Sequence, residues 1–394
     1  MTATTRLDEC TSAATDAPML LMAMELGRHE WKLAFTIGAG QRPRRRTLRT
    51  ESWQRLGEEI VTAKRRFGAP ADAPVKSCYE AGRDGFWLHR YLISLGVDNV
   101  VVDSASIEVP RRARRAKTDR LDAEKLLAQL LRFVSGEHKA LRLVHVPSDA
   151  DEQRRYLHRE LQALIRDRRR VMNRIGGLLA TQGVAINVRM DFLQQMPALR
   201  LWNGEPLSTT LADRLQREWA KVALLTTQIH ALERTRREAL RHTDDATVEL
   251  VRRLLRLRGI GECGAWLFVM ELFAWRQFRN RRQLGAITGL VPTPYRSGTL
   301  ERDQGISKAG NRALRSVAVQ IAWGWLRHQP QSALTQWYDA RFAHGGPRAR
   351  KVGIIAVARR LLIDLWRYLD AGVMPDGASL KPTSPTPGAG WRAA

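Results

Sequence analysis

Cysteine is nearly absent from this chain. Cys10, Cys78 and Cys263 are the only three in 394 residues, and they lie far apart with no paired spacing. That excludes a zinc ribbon and a disulfide framework, and it fits a reducing cytosol. Long apolar runs are missing too: no stretch could span a bilayer, and Met1 to Asp16 is polar and lacks the apolar core of a signal peptide. Acidic residues are scarce relative to basic ones. Asp and Glu total 40 against 65 Lys and Arg, a formal charge of +25. An excess this large excludes an ordinary metabolic enzyme and points to nucleic acid, with an anionic membrane surface as the weaker choice; with no spanning run, no membrane partner is expected. Composition therefore sets the expectation of a cytoplasmic, polyanion-binding protein.

The length allows two or three domains with real cores. After a lead-in at 1–18, expected to be disordered, the pattern becomes strand-like at Leu20–Leu26, Trp31–Ile37 and Arg45–Arg49. A helix opened by Ser52 follows, then a strand at Val75–Glu80, a helix at Phe86–Leu95 and an all-apolar strand at Val100–Val102. Three opening strands and then alternating helix and strand predict α/β architecture over 19–148. From Asp149 to about 245 the text changes to long polar helices whose leucines recur at helical spacing amid arginines, predicting an antiparallel helical pair or coiled coil that serves as spacer and dimer surface. A helical unit over 246–373 ends the fold, followed by a Pro/Gly/Ser-rich tail from 374 that is expected to be disordered. Trp323, Trp325, Trp337 and Trp366 sit in helical settings and are assigned to the core.

Four carboxylates stand out. Asp119 and Asp122 lie one turn apart on one helix face, directly after the basic run Arg111, Arg112, Arg114, Arg115 and Lys117. Glu25 sits inside an apolar strand, where a lone carboxylate is expensive unless paired or metal-bound. Glu80 closes a later strand, where functional carboxylates of open α/β sheets tend to lie. Converging, the four would suit a hard divalent cation and two-metal phosphoryl transfer, with the basic run holding a polyanion against it.

Further on, Gly259-Ile260-Gly261 has the form of a hairpin between helices, a turn that can offer backbone N–H groups to a phosphate. A proline- and glycine-rich stretch, Gly289 to Gly298, is expected as a loop carrying Ser297 beside Arg296. Lys308, Asn311 and Arg312 open a basic helix start downstream. A serine oxygen in this setting can attack phosphorus, and the phosphoserine formed retains a link for rejoining that hydrolysis discards. Ser307 is the other serine nearby, but it belongs to the following Gly-Ile-Ser-Lys segment.

Tyr79-Glu80-Ala81-Gly82, Lys117-Thr118-Asp119-Arg120-Leu121-Asp122-Ala123, Gly289-Leu290-Val291-Pro292, Ser297-Gly298 and Gly305-Ile306-Ser307-Lys308-Ala309-Gly310-Asn311-Arg312 together resemble the DEDD transposases of the IS110 family, including its IS1111 group. The resemblance covers roughly 20 to 372. It implies an N-terminal RuvC-like domain of RNase H fold, a coiled coil, and a helical C-terminal transposase domain with a helix-hairpin-helix-like element. It also implies a site-specific recombinase whose four acids bind magnesium, two ions per site, and whose Ser297 becomes joined to DNA. Donor and target DNA would be chosen by the element's noncoding bridge (seek) RNA, with dimers assembling to a tetramer and active sites completed between protomers. The first acid of that family is usually Asp; here it is Glu25, one methylene longer. A water-using RuvC-type junction nuclease and a non-catalytic RNA/DNA-binding protein are the alternative readings.

Overall fold

The computed structural model describes residues 18–107, 119–297 and 300–382. The chain divides into two compact units, one ending at Val146 and the other starting at Pro147. The expected lead-in, up to residue 17, and the basic run Arg111, Arg112, Arg114, Arg115 and Lys117 lie outside the described residues.

The first unit is built on a sheet of β1 (Leu20–Leu26), β2 (Glu30–Thr36), β3 (Arg44–Arg49), β4 (Val75–Glu80) and β5 (Asp98–Val102), in the order β3-β2-β1-β4-β5. The first three strands form an antiparallel meander, whereas β4 and β5 run parallel to β1. The parallel connections pass through α1 (Leu56–Arg66) and α2 (Trp87–Ser94), and α3 (Asp119–Val134) follows the sheet. Strand alternation splits the apolar residues between two faces. Leu20, Met22, Met24, Val75 and Tyr79 pack toward α1 and α2, while Leu21, Ala23 and Cys78 pack toward α3. On that second face Ala123, Leu126, Leu127 and Leu130 of α3 are buried. At roughly 1.5–3 kcal/mol for each fully buried leucine, this stripe fixes the helix firmly on the sheet. The segment expected to be helical from Ser52 opens instead as a 3-10 turn over Thr50–Arg55, with non-helical backbone at Ser52 itself.

The second unit begins with α4 (Asp149–Arg154) and α5 (Tyr156–Ala180), continues through α6 (Phe192–Gln195), and returns along α7 (Thr209–His242). Arg168 reaches Thr226 and Arg174 reaches Glu218, so α5 and α7 are antiparallel. Their shared core is the expected apolar stripe, with Val171, Ile175 and Leu179 against Leu215, Trp219 and Val222, capped by Phe192 of α6.

Helices α8 (Ala246–Arg256), α9 (Glu262–Phe268) and α10 (Arg281–Thr288) then lead to strands β6 (Pro292–Ser297) and β7 (Leu300–Ile306), and α11 (Arg312–His328), α12 (Ala333–Tyr338) and α13 (Pro347–Ala371) complete the unit. Two expectations are corrected here. The stretch read as a loop is an antiparallel hairpin: its two prolines sit in a two-stranded ribbon, where an absent N–H can face outward at little cost. Residues 374–382, assigned to a tail, are packed: Ser379 bonds to Gln329, and Leu380 bridges to Leu257. The rest of that tail lies outside the described residues. Trp325 is buried as expected, but Trp323, two positions earlier on α11, is 49% exposed.

Candidate active site and nucleic-acid interface

Glu25 and Glu80 occupy the carboxyl ends of adjacent parallel strands. The last register pair of β1 and β4 is Met24 with Tyr79, and each glutamate is the next residue along. Both share the parity of Ala23 and Cys78, which puts them on the sheet face that α3 covers. Each is half-buried. Asp119 is the first residue of α3, and Asp122 follows one turn later, half-buried, with Lys125 Nζ at 2.9 Å from its Oδ1. The sequence-named acids thus belong to two neighbouring strand ends and the first turn of the helix on the same face. Among the described side chains, no three His, Cys, Asp or Glu residues are grouped closely enough to hold a metal ion.

Beside this turn runs a cleft lined by Lys32, Arg45, Arg46 and Thr47 from β2 and β3 and by Ala123 and Glu124 from α3. Arg45 Nη2 donates to Glu124 at 2.9 Å, clamping the acid-bearing turn to β3. Lys32 is the register partner of Glu25 and donates to Glu30 and Thr47. Sequence reasoning missed these cations; the run Arg44-Arg45-Arg46 that opens β3 was the available signal.

In the second unit, Ser297 is the last residue of β6 and pairs with Leu300 at the tip of the hairpin, with Arg296 one position before it. Ser307 is at the other end, where its backbone N–H donates to Val291. The base of the hairpin is held by glycine. Gly310 has φ +104°, and a Cβ there would meet the Ile287 carbonyl at 2.2 Å; a Cβ on Gly289 would meet the Ala309 carbonyl at 2.1 Å. Lys308 N–H donates to Gly289 and Asn311 N–H to Ile287, so the two segments are joined backbone to backbone. Asn311 caps α11, accepting from Ala313 and Leu314, and Arg312 is the first helical residue. Arg315, not singled out from sequence, ties the joint by donating to the carbonyls of Thr288 and Lys308.

The Gly259-Ile260-Gly261 turn is also a close approach. Gly259 has φ +82°, and a Cβ there would lie 2.8 Å from the Gly324 carbonyl of α11. Gly261 is the N-cap of α9. Arg258, His328 and Lys381 line a cleft at this turn, and Lys381 Nζ donates to the Ile260 carbonyl.

A deeply buried His158–Glu271 contact, completed by a half-exposed Arg159, was not foreseen. Glu271 sits in a single π-helical stretch after α9, accepts from Arg159 Nε at 2.7 Å and Nη2 at 3.0 Å, and lies 2.9 Å from His158 Nε2. Burial alone would raise its pKa, but His158 and Arg159 outweigh that and pull it down to about 2. Its setting, Val269-Met270-Glu271-Leu272-Phe273, carries the same signal that marked Glu25: a lone carboxylate in an apolar run.

Residues 251–337 match the family described as Transposase IS116/IS110/IS902 family. The chain is 38% identical over 394 residues to the candidate transposase y4rJ of Sinorhizobium fredii, covering 97% of this chain and 99% of that protein. This chain belongs to the IS110 family of transposases. It is also similar to the transposase for insertion sequence element IS1328 of Yersinia enterocolitica, 29% identical over 55% of this chain and 63% of the relative. The transposase for IS1111A of Coxiella burnetii is 23% identical, over 61% and 63% of the two chains. The expected resemblance therefore holds at the level of family, and a transposase of an insertion element acts on DNA. Among the described residues no helix is long and apolar enough to cross a membrane.

Proposed function

We propose that this transposase cuts and rejoins DNA through Ser297, assisted by magnesium at Glu25, Glu80, Asp119 and Asp122. The observation that carries this reading is the placement of two glutamates on adjacent strand ends, on the face where α3 brings two aspartates in its first turn. Such a donor set is all carboxylate oxygen, the chemistry that suits a hard, six-coordinate cation. The sheet order, three antiparallel strands followed by two parallel to the first, fits a RuvC-like domain of RNase H fold. Magnesium, when bound, supplies charge neutralisation at phosphorus and lowers the cost of deprotonating the attacking oxygen.

Ser297 Oγ forms the bond to phosphorus as one backbone P–O bond breaks; the serine proton leaves to solvent, and the released deoxyribose oxygen takes a proton from solvent and departs as a free hydroxyl end. The phosphoserine conserves the bond that the second strand later uses. A hairpin anchored by Gly289 and Gly310 suits this role, because its base is fixed and its tip carries the nucleophile. Arg296, Lys308 and Arg312, with Arg111, Arg112, Arg114, Arg115 and Lys117, are the proposed phosphate contacts. The Gly259–Gly261 turn adds Arg258, His328 and Lys381. A noncoding bridge RNA as guide, a coiled coil formed by α5 and α7, and dimers that assemble to a tetramer complete the proposal. The antiparallel pair and the +25 charge support those last elements.

The test is a denaturing gel of the protein incubated with element-end DNA, co-purified RNA and magnesium. A covalent protein–DNA band that disappears in Ser297→Ala supports the reading. Free ends without an adduct favour a water-using nuclease, and no cleavage favours a binding protein.

A further inference from the structure

Between α8, the π-helical stretch, the segment leading to α10, and α13 lies a cleft of about 400 Å³. It falls within the size range of small-ligand pockets, roughly 300–1,000 Å³. Its walls include Trp275, Phe278 and Trp366, with Arg276, Gln277 and Asp370 as polar groups. Phe278 and Trp366 meet edge to face, ring centres 6.2 Å apart, and both are only partly buried. Aromatic rings left half-covered around a cavity offer stacking area that the protein itself does not use.

The charge around this cleft selects the occupant. Arg276 stacks on Trp275 at 4.0 Å, and its Nε donates to the Glu271 carbonyl. Arg155 covers the same ring at 4.8 Å. Among the described residues Arg276 is in no ion pair, because the Glu271 carboxylate is taken by His158 and Arg159. Burial, with Arg155 and Arg159 close by, pulls the Arg276 pKa down to about 10 against the opposing pull of Glu271. A guanidinium in that position gains from an anion. Just downstream in the chain, Arg279, Arg281 and Arg282 are exposed and add to the local positive charge. An apolar peptide would leave these cations unanswered.

We infer that this cleft receives one unpaired nucleotide of a bound nucleic acid, its base against Phe278 and Trp366 and its phosphate toward Arg276. Gln277 and Asp370 stand at the rim to read the base edge, and a carboxylate acceptor there favours bases that present N–H donors. The inference rests on the proposed nucleic-acid function and adds to it a capture site for a base outside the duplex.

The test uses the full-length protein and fluorescence anisotropy with a 15-nucleotide single strand, intact or with one central abasic position, in ribose and deoxyribose forms and as duplex. The same strand carrying 2-aminopurine reports stacking by quenching. Removing one stacked base should weaken binding roughly tenfold, and Trp366→Leu should abolish both that difference and the quenching. Gln277→Ala, at an exposed position that cannot unfold the protein, should reduce the difference as well. The ribose and deoxyribose arms show which strand supplies the nucleotide. Equal binding of intact and abasic strands by the wild-type protein, unchanged quenching in folded Trp366→Leu, or an unchanged intact-versus-abasic difference in Gln277→Ala overturns the inference. Ser297→Ala should keep the intact-versus-abasic difference, so failure of the cleft and failure of the covalent chemistry are read separately.

Discussion

Glu25 and Glu80 stand side by side on parallel strands β1 and β4, each one residue past the Met24–Tyr79 register pair. Neighbouring strands are about 4.8 Å apart, within the reach of two carboxylates that share a cation. Glu80→Gln and Glu25→Gln should each lower strand cleavage by two orders of magnitude or more, the scale of a lost metal ligand. Glu25→Asp keeps a carboxylate on a shorter arm and should retain activity within about tenfold. Cleavage assays at saturating magnesium check both; equal activity of Glu80→Gln and wild type would remove Glu80 from the site.

The legibility of this chain in its sequence is uneven for physical reasons. β1 was readable to the residue, because an apolar run bounded by turns has one extended solution, and β4 because Val75 to Glu80 lies between Pro74 and Ala81-Gly82. The hairpin holding Ser297 was not, since Pro292, Pro294 and Gly298 signal a turn whether or not flanking residues pair. Glu271 was missed although its context matches that of Glu25, because its partners His158 and Arg159 lie more than a hundred residues away. Residues 374–382 have a tail's composition, but Gln329 and Leu257 recruit their backbone.

Glu271 should make the second unit acid-sensitive. Its folded pKa, about 2, lies below the ordinary carboxylate value of 4.5. The stabilisation it supplies is therefore complete above that ordinary value and is lost as pH falls from there toward 2. Glu271→Gln should cost about 2 kcal/mol near neutrality by removing the charge-assisted hydrogen bonds to His158 and to a half-exposed Arg159, and it should flatten the acid limb of a thermal-melt series between these pH values.

Gly310→Ala should disrupt the hairpin base, because a side chain at φ +104° would also collide with the Ile287 carbonyl. A loss on the order of 3 kcal/mol is expected. Gly305→Ala, at φ +86° but in open space, should cost less. Chemical denaturation of the two variants gives the comparison.

Binding of nucleic acid should be strongly salt-dependent, given the +25 charge. If six or more phosphates are neutralised, affinity falls by roughly a thousandfold or more between 50 and 200 mM salt. A flat response would remove the electrostatic account of binding.

The most direct measurement concerns the bond itself. Protein trapped on element-end DNA with magnesium and its co-purified RNA, digested and sequenced by mass spectrometry, should carry a nucleotide phosphodiester on Ser297, and none in Asp122→Asn or Ser297→Ala. An adduct on another residue such as Ser307, or cleaved DNA with no adduct at all, would contradict the account.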